Sequence, residues 1–259
     1  MADRMSDPEV TVVIPIYNES GILEQSVQDV VSGLRDLLGP EAFEVILAEN
    51  GSNDGTPELA AGLAQRYAEV ATFSYPEPNY GGALREGIYR ARGRFVICEE
   101  IDLCDLDFHA RALGVLREGE AQLVIGSKAM QGANDQRPLK RRVATLAYNG
   151  LLRVTLGFRG TDTHGLKAFA REAVLPVAAS CVVEHDVFAS ELVIRAQRSG
   201  RAVREIPVEL NEKRAPSVRL AARVPRVLKN LMRLMVSIHL TPSSETVPAA
   251  ARPVDSRDG

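Results

Sequence analysis

The sequence predicts an α/β fold, a single doubly wound domain with a mostly parallel sheet, carrying a C-terminal amphipathic helix. Three observations predict it. Short apolar runs rich in β-branched residues alternate with segments of helical periodicity. Each run gives way to a polar loop bearing acids, amides or glycine. The 259 residues, 45% hydrophobic and 25% charged, have the size and composition of one α/β unit with a small appendage.

The elements follow in order. Val10–Ile16 (VTVVIPI) is apolar throughout, as a strand buried on both faces must be, and the turn-prone Tyr17-Asn18-Glu19-Ser20-Gly21 ends it. From Ile22 to Leu38 apolar residues recur at helical spacing until Gly39-Pro40 stops them. Phe43–Ala48 reads as a strand, Glu49–Thr56 as a polar turn, and Pro57–Tyr67 as a helix with proline in its first turn. Thr72–Tyr75 is a short strand, and Asn79-Tyr80-Gly81-Gly82 precedes a helix through Arg92. A strand at Phe95–Cys98, a helix at Phe108–Glu118 and a strand at Leu123–Ser127 continue the alternation. Basic residues then cluster in Arg137–Arg142, and a helix spans Val143–Leu156 before the polar loop Gly157–Gly165. A helix at Val187–Ser199 and a strand at Val203–Val208 close the folded part. The expected organisation is a flexible N-terminus (1–9), the domain (10–215), a basic amphipathic helical extension (216–240) and a disordered tail (241–259) rich in Pro, Ala and Ser.

Composition narrows the function. A net charge of −3, no Trp and 5% aromatics give neither the field nor the stacking platforms of a nucleic-acid binder. The N-terminus lacks an apolar signal core, and no stretch approaches about 18 uncharged apolar residues, so a cytoplasmic chain is expected. Cys98, Cys104 and Cys181 form no CxxC pair and read as buried thiols, and the four histidines have no metal-ligand spacing. No G-x-G-x-x-G follows the first strand, and Gly51–Thr56 lacks the lysine of a P-loop, which disfavours dinucleotide and P-loop chemistry.

Ligands of such sheets bind beyond the carboxyl ends of the strands, where Tyr17–Gly21, Glu49–Thr56 and Glu99–Asp107 lie. The last holds five carboxylates in nine residues. Acids at i and i+2 off a strand end can present oxygens to one hard cation, Mg²⁺ or Mn²⁺, that bridges to substrate phosphates. The competing reading is a solvated loop whose acids suit the N-terminus of the helix at Phe108.

Taken together, Val12-Val13-Ile14-Pro15-Ile16-Tyr17-Asn18-Glu19, Glu49–Thr56, Asn79–Ala83, Gly93-Arg94-Phe95-Val96, Glu100-Ile101-Asp102 and Asp162-Thr163-His164-Gly165-Leu166-Lys167 resemble family 2 glycosyltransferases. The nearest branch is that of the polyprenyl-phosphate (dolichyl-phosphate) mannose and glucose synthases, over residues 9–215. The resemblance implies a GT-A fold, a Rossmann-like domain, using a nucleotide-sugar donor, Mg²⁺ or Mn²⁺, and inverting transfer of a hexose. By this resemblance Pro15, Tyr17, Glu19, Glu49 and Ile101 line the nucleotide pocket, while Glu100 and Asp102 fall on the DxD motif and hold the metal. In its acidic motifs the chain departs from the pattern in two places: Glu100 replaces the first Asp, and Glu49-Asn50-Gly51-Ser52 stands where Asp-Asp-Gly-Ser is usual. Glutamate adds a methylene, about an ångström of reach, which octahedral Mg²⁺ tolerates less well than Mn²⁺.

A polyprenyl-phosphate acceptor is already an anion, so cations must position it and no general base is needed. Lys128, Lys167 and Arg214 are the candidates, with Ser217 beside Arg214. Lys128 stands where relatives carry Arg and gives up a bidentate grip. By the same resemblance Asp162 and Thr163 shape the acceptor side, their other reading being a cap or turn, and His164 is a candidate acceptor-side group. A hydroxyl acceptor would instead need a carboxylate base, for which Asp186 is the nominee, its other reading being a helix N-cap. A catalytically idle nucleotide-sugar binder is the third alternative. Finally, Arg219–Leu240 interleaves Arg219, Arg223, Arg226, Lys229 and Arg233 with apolar residues at helical spacing. It reads either as a peripheral contact with an anionic membrane or as an ordinary packing helix.

Overall fold

The computed structural model describes residues 7–135, 139–183, 185–210 and 220–240. In chain order its elements are β1 (Val10–Ile16), α1 (Leu23–Leu38), β2 (Phe43–Glu49), α2 (Thr56–Arg66), β3 (Val70–Ser74), α3 (Tyr80–Arg90), β4 (Phe95–Cys98), α4 (Leu106–Arg117), β5 (Leu123–Ser127), β6 (Asn134–Asp135) and α5 (Leu139–Leu156). There follow β7 (Lys167–Ala170), α6 (Arg171–Ser180), a one-turn 3-10 helix (His185–Val187), α7 (Phe188–Arg198), β8 (Val203–Pro207), β9 (Glu209–Leu210) and α8 (Leu220–Leu240).

Seven strands form one sheet in the order β3-β2-β1-β4-β7-β5-β8, and β6 and β9 form a separate pair. All neighbours in the large sheet run parallel except β7, which is antiparallel to both β4 and β5. Alternate residues of the central strand enter opposite cores. Val12, Ile14 and Ile16 join Leu23, Val30, Leu34, Phe108 and Leu113 from α1 and α4. Val13 faces Leu84 and Ile88 of α3, in a core that also takes in Leu152, Phe188, Leu192, Leu231 and Leu234. Helices therefore cover both faces, which is why β1 and β2 are buried at every position.

The structure departs from the sequence reading at several points along the chain. β7 and α6 were not anticipated, and α5 begins at Leu139, inside the basic run. At α3 the helix begins at Tyr80, with the Asn79 side chain accepting from Gly82 N, so Gly81 and Gly82 lie within it. The reason is close approach: a Cβ on Gly81 would stand 2.5 Å from the His185 carbonyl oxygen and 2.7 Å from Phe188 Cβ. Arg214, Ser217 and Arg219 lie outside the described residues, as do the expected tail at 241–259 and all but the last few residues of the expected flexible N-terminus.

Candidate active site

The chain leaves β1 toward β2 and β3 on one side and reaches β4 on the other, so the strand order reverses between β1 and β4. A crevice opens there at the carboxyl ends. The register shows how: β1 pairs with β4 only as far as Val13–Cys98, whereas it pairs with β2 through Ile16–Glu49. The Val13 carbonyl accepts from Glu99 N, and by the two-residue alternation of a strand the backbone of Pro15 turns to the same side. Proline has no N–H to lose on that unpaired side. Pro15 thus sits where the crevice begins.

The loops after β1 and β2 are bound to each other. Asn18, at φ 54°, donates its N–H to Ser52 Oγ at 3.0 Å, and its side-chain oxygen accepts from Asn53 N at 2.9 Å. Glu19 N donates to Thr56 Oγ1, and Ser20 reaches Asp54 through both N and Oγ. Hydrogen bonds from Thr56 and Ser20 hold the exposed Asp54 carboxyl down at about 2. Glu49, 3% exposed, accepts from Ser52 N at 2.6 Å, and Asn50 Oδ1 accepts from Asn79 N at 2.5 Å. The two residues that depart from the family pattern here are therefore engaged in holding the turn. Tyr17, by contrast, is exposed at the mouth.

After β4 the acidic loop divides its carboxylates by task. Glu99 is buried, with Oε1 accepting from Asp105 N at 2.6 Å and Oε2 lying 2.9 Å from Nε2 of the buried His109. Asp105 caps α4 by accepting from Phe108 N, and Asp107 pairs with Arg111. Glu100, exposed, and Asp102, half-buried, flank the buried Ile101 at the crevice. Among the described residues no three His, Cys, Asp or Glu side chains gather around a cation position. Two carboxylates suit a Mg²⁺ or Mn²⁺ that keeps its other positions for waters and substrate phosphates.

The antiparallel β7 delivers the other wall. Because it runs against β4 and β5, the residues that precede it arrive at the same carboxyl end, and Lys167 lies opposite Cys98 and Ile125. Gly165 is required at this entry, since a Cβ there would run into the Gly126 carbonyl. Glu205 of β8 holds the loop down, accepting from Thr161 N at 2.7 Å, Thr161 Oγ1 at 2.8 Å and Asp162 N at 3.2 Å. Asp162 is fully buried: Oδ1 accepts from His164 N, and Oδ2 stands 3.9 Å from Lys128 Nζ with no hydrogen-bond donor on it among the described residues. Thr163 Oγ1 contacts Ser190 Oγ at 2.9 Å and His164 Nδ1 at 3.2 Å, and Tyr148 OH reaches the same Ser190 at 3.1 Å. The exposed His164 ring lies edge-on to Tyr148 with centroids 5.2 Å apart.

Lys167 itself is 3% exposed and donates to the Gly165 carbonyl at 2.7 Å. Burial pushes its ammonium below the usual lysine range; the Asp162 and Glu100 carboxylates oppose that and the Lys128 ammonium adds to it. The same burial raises the Cys98 thiol to about 12. Asp186 lies in the one-turn helix before α7, whose cap position is Val187, so the N-cap reading of Asp186 falls one residue short.

The profile of Glycosyl transferase family 2 matches residues 11–175. The chain belongs to that family. Glycosyltransferase AglD of Haloferax volcanii is 34% identical over 237 residues, covering 90% of this family 2 chain and 38% of AglD. Dolichyl-phosphate beta-glucosyltransferase ALG5C of Trichomonas vaginalis is 30% identical, over 80% of this chain and 65% of its own. The chain thus spans roughly four-tenths of the first relative and two-thirds of the second. Glucosyl-3-phosphoglycerate synthase of Mycobacterium tuberculosis, crystallised with Mn²⁺ and UDP, shares the fold at a TM-score of 0.65 and 23% identity, over 92% of this chain and 82% of that one. Sequence reasoning missed Glu205, Ser190 and Tyr148 beside the site. Only Glu205 carried a signal, as a lone acid in an otherwise strand-like run.

Proposed function

We propose that this chain transfers a hexose from a nucleoside diphosphate sugar of the UDP-glucose or GDP-mannose type to a polyprenyl phosphate, with inversion and with Mg²⁺ or Mn²⁺. The observation that carries the reading is the arrangement at the carboxyl ends of the strands, where Glu100 and Asp102 follow β4, Lys128 follows β5, and Glu100 and Lys128 both act electrostatically on Lys167 of β7 between them. Tyr17, Glu19 and the β2 turn would receive the nucleoside. Glu100 and Asp102 would hold the cation, which neutralises the leaving diphosphate as the sugar C1–O bond breaks. Lys128, steered by the buried Asp162, supplies positive charge for an anionic acceptor, and Lys167 adds its field from behind. The Thr163–Ser190–Tyr148 hydroxyls fix His164 at the acceptor edge. A phosphate acceptor arrives ionised, so positioning replaces proton abstraction.

Calorimetric titration of UDP and GDP, each with and without Mn²⁺, tests the donor half of the reading. Binding of one nucleotide that depends on Mn²⁺ is expected; no binding of either would sink it. Transfer of radiolabelled hexose to a short polyprenyl phosphate, against a glycan with free hydroxyls, tests the acceptor half, and preference for the glycan would overturn it.

A lipid acceptor implies contact with a bilayer, and the outer surface supports this. No described helix is long and apolar enough to cross a membrane. However, α5 turns Leu139, Val143, Leu146 and Val154 to solvent, Leu139 at 72% and Val154 at 87% exposed, opposite its buried Asn149, Leu152 and Leu156. α8, which shares the same core, exposes Met232 and Val236 beside Lys229 and Arg233. An apolar stripe edged by cations suits an anionic lipid surface. The double variant Leu146→Asp/Val154→Asp is expected to lower co-sedimentation with phosphatidylglycerol vesicles at least tenfold, since each buried aliphatic side chain contributes about 2 kcal/mol. Unchanged sedimentation would remove the membrane contact from the proposal.

A further inference from the structure

Glu99 and His109 are 2% and 0% exposed, two ionisable side chains facing each other 2.9 Å apart beneath a loop that the proposed chemistry uses only at Glu100 and Asp102. Burying a carboxyl group against an imidazole costs hydration, and among the described residues only Glu99 Oε1 regains a hydrogen bond, Oε2 and the His109 ring nitrogens being left with no partner beyond the 2.9 Å approach of Oε2 and Nε2. The connections show what the pair holds. Glu99 is the last residue bonded to β1, through Val13 O, before the chain turns into the loop. Its Oε1 reaches across to Asp105 N at 2.6 Å, closing residues 100–104 into a ring. Asp105 then caps α4, and His109, in the first turn of that helix, points back at Glu99 Oε2. Within the ring, Leu103 N donates to Glu100 O, and Cys104 takes φ 47°, a left-handed conformation that an unpinned cysteine rarely keeps.

We infer that Glu99 and His109 are positioning residues that fix the spacing of the Glu100 and Asp102 carboxylates and thereby set affinity for a cation-bound nucleoside diphosphate. The inference rests on the donor-site reading above. Residues that orient metal ligands from behind commonly cost about 10–100-fold in metal affinity when replaced. The longer Glu100 side chain makes the demand greater, because its additional rotatable bond must be compensated by a backbone that does not drift.

Three variants test this: His109→Leu, which breaks the pair; His109→Gln, which keeps a polar atom toward Glu99; and Glu99→Gln, which keeps an acceptor for Asp105 N. Two readouts are combined. Amide hydrogen exchange follows the loop directly, and calorimetry compares UDP with Mn²⁺ against uridine, which carries no phosphate and reports the nucleoside pocket alone. In His109→Leu the amides of 100–105 are expected to exchange at least tenfold faster, and Mn²⁺-dependent UDP affinity to fall about tenfold or more, with uridine binding unchanged. His109→Gln and Glu99→Gln should recover most of both. Loop exchange that stays at the wild-type rate in His109→Leu overturns the clamp, whatever the nucleotide data. Faster exchange with unchanged UDP affinity, or a parallel loss of uridine binding, reduces the pair to a structural role and overturns the inference. A wild type that binds no nucleotide with Mn²⁺ overturns the donor-site reading, and this inference with it, while the exchange arm distinguishes that failure from a missing clamp.

Discussion

Asp102→Asn is expected to reduce hexose transfer by on the order of a thousandfold, with the melting temperature kept within a degree or two. The two halves of this result have separate causes. On the proposed reading, a two-carboxylate cation site loses half its protein charge when Asp102 becomes an amide, and a cation held there would supply several kcal/mol of stabilisation to the departing diphosphate. About 4 kcal/mol of that is a factor of 10³ in rate. The fold does not lean on Asp102 in the same way. It stands half-buried in the ring of residues 100–104, whose closure is made by Glu99 and Asp105. Initial rates at saturating donor, together with thermal melts, check both halves. Transfer within tenfold of wild type would show that the Glu100-Ile101-Asp102 acids are not where the diphosphate is neutralised. Glu100→Asp is the informative companion, since it shortens the side chain by one methylene without changing its charge.

What the sequence made legible depended on whether a signal was local. The continuous apolar runs at Val10–Ile16 and Phe43–Ala48 could belong only to strands covered on both faces, and the polar turns after them marked the carboxyl end of the sheet, where the candidate site lies. The acidic loop was visible as a cluster, but its division of labour was not. Glu99, Asp105 and Asp107 look the same as Glu100 and Asp102 in the sequence. Only the fold turns Glu99 inward to His109 and assigns Asp105 to the α4 cap. β7 escaped because four residues, Lys-Ala-Phe-Ala, gain their strand character from β4 and β5 on either side, partners remote in sequence. α6 carries Pro176 in its interior, a residue that locally argues against a helix. Gly81 and Gly82 read as a loop because glycine is a poor helix former, yet the His185 turn comes too close for any larger residue at Gly81. In each case a long-range contact decided what local propensity could not.

The same distinction governs the largest expected loss of stability, at a residue that sequence patterning presents as an ordinary helix glutamate. Glu191 of α7 is fully buried and accepts four hydrogen bonds: from Val182 N at 3.0 Å and Val183 N at 2.7 Å on Oε2, and from Arg195 Nε at 2.8 Å and Ser237 Oγ at 2.7 Å on Oε1. Arg195, itself 2% exposed, also donates to Ser237 Oγ at 2.7 Å. One carboxylate thus ties the end of α6 and the inner face of α8 to α7. Glu191→Leu leaves a guanidinium buried without its counter-charge and two amides without an acceptor. That is expected to cost about 3–5 kcal/mol, or roughly 10 °C in melting temperature for a chain of this size. The double variant Glu191→Leu/Arg195→Met removes both charges together and should recover most of the loss. It should not recover all of it, because the Val182 and Val183 amides still lack a partner, worth about 1–3 kcal/mol. Because Ser237 of α8 is bonded to Glu191, the proposed membrane contact through α8 leads to the further expectation that the single variant weakens vesicle binding. A Glu191→Leu protein that melts like wild type would mean that the apolar contacts of Leu231, Leu234 and Ile238 seat α8 without the buried ion pair.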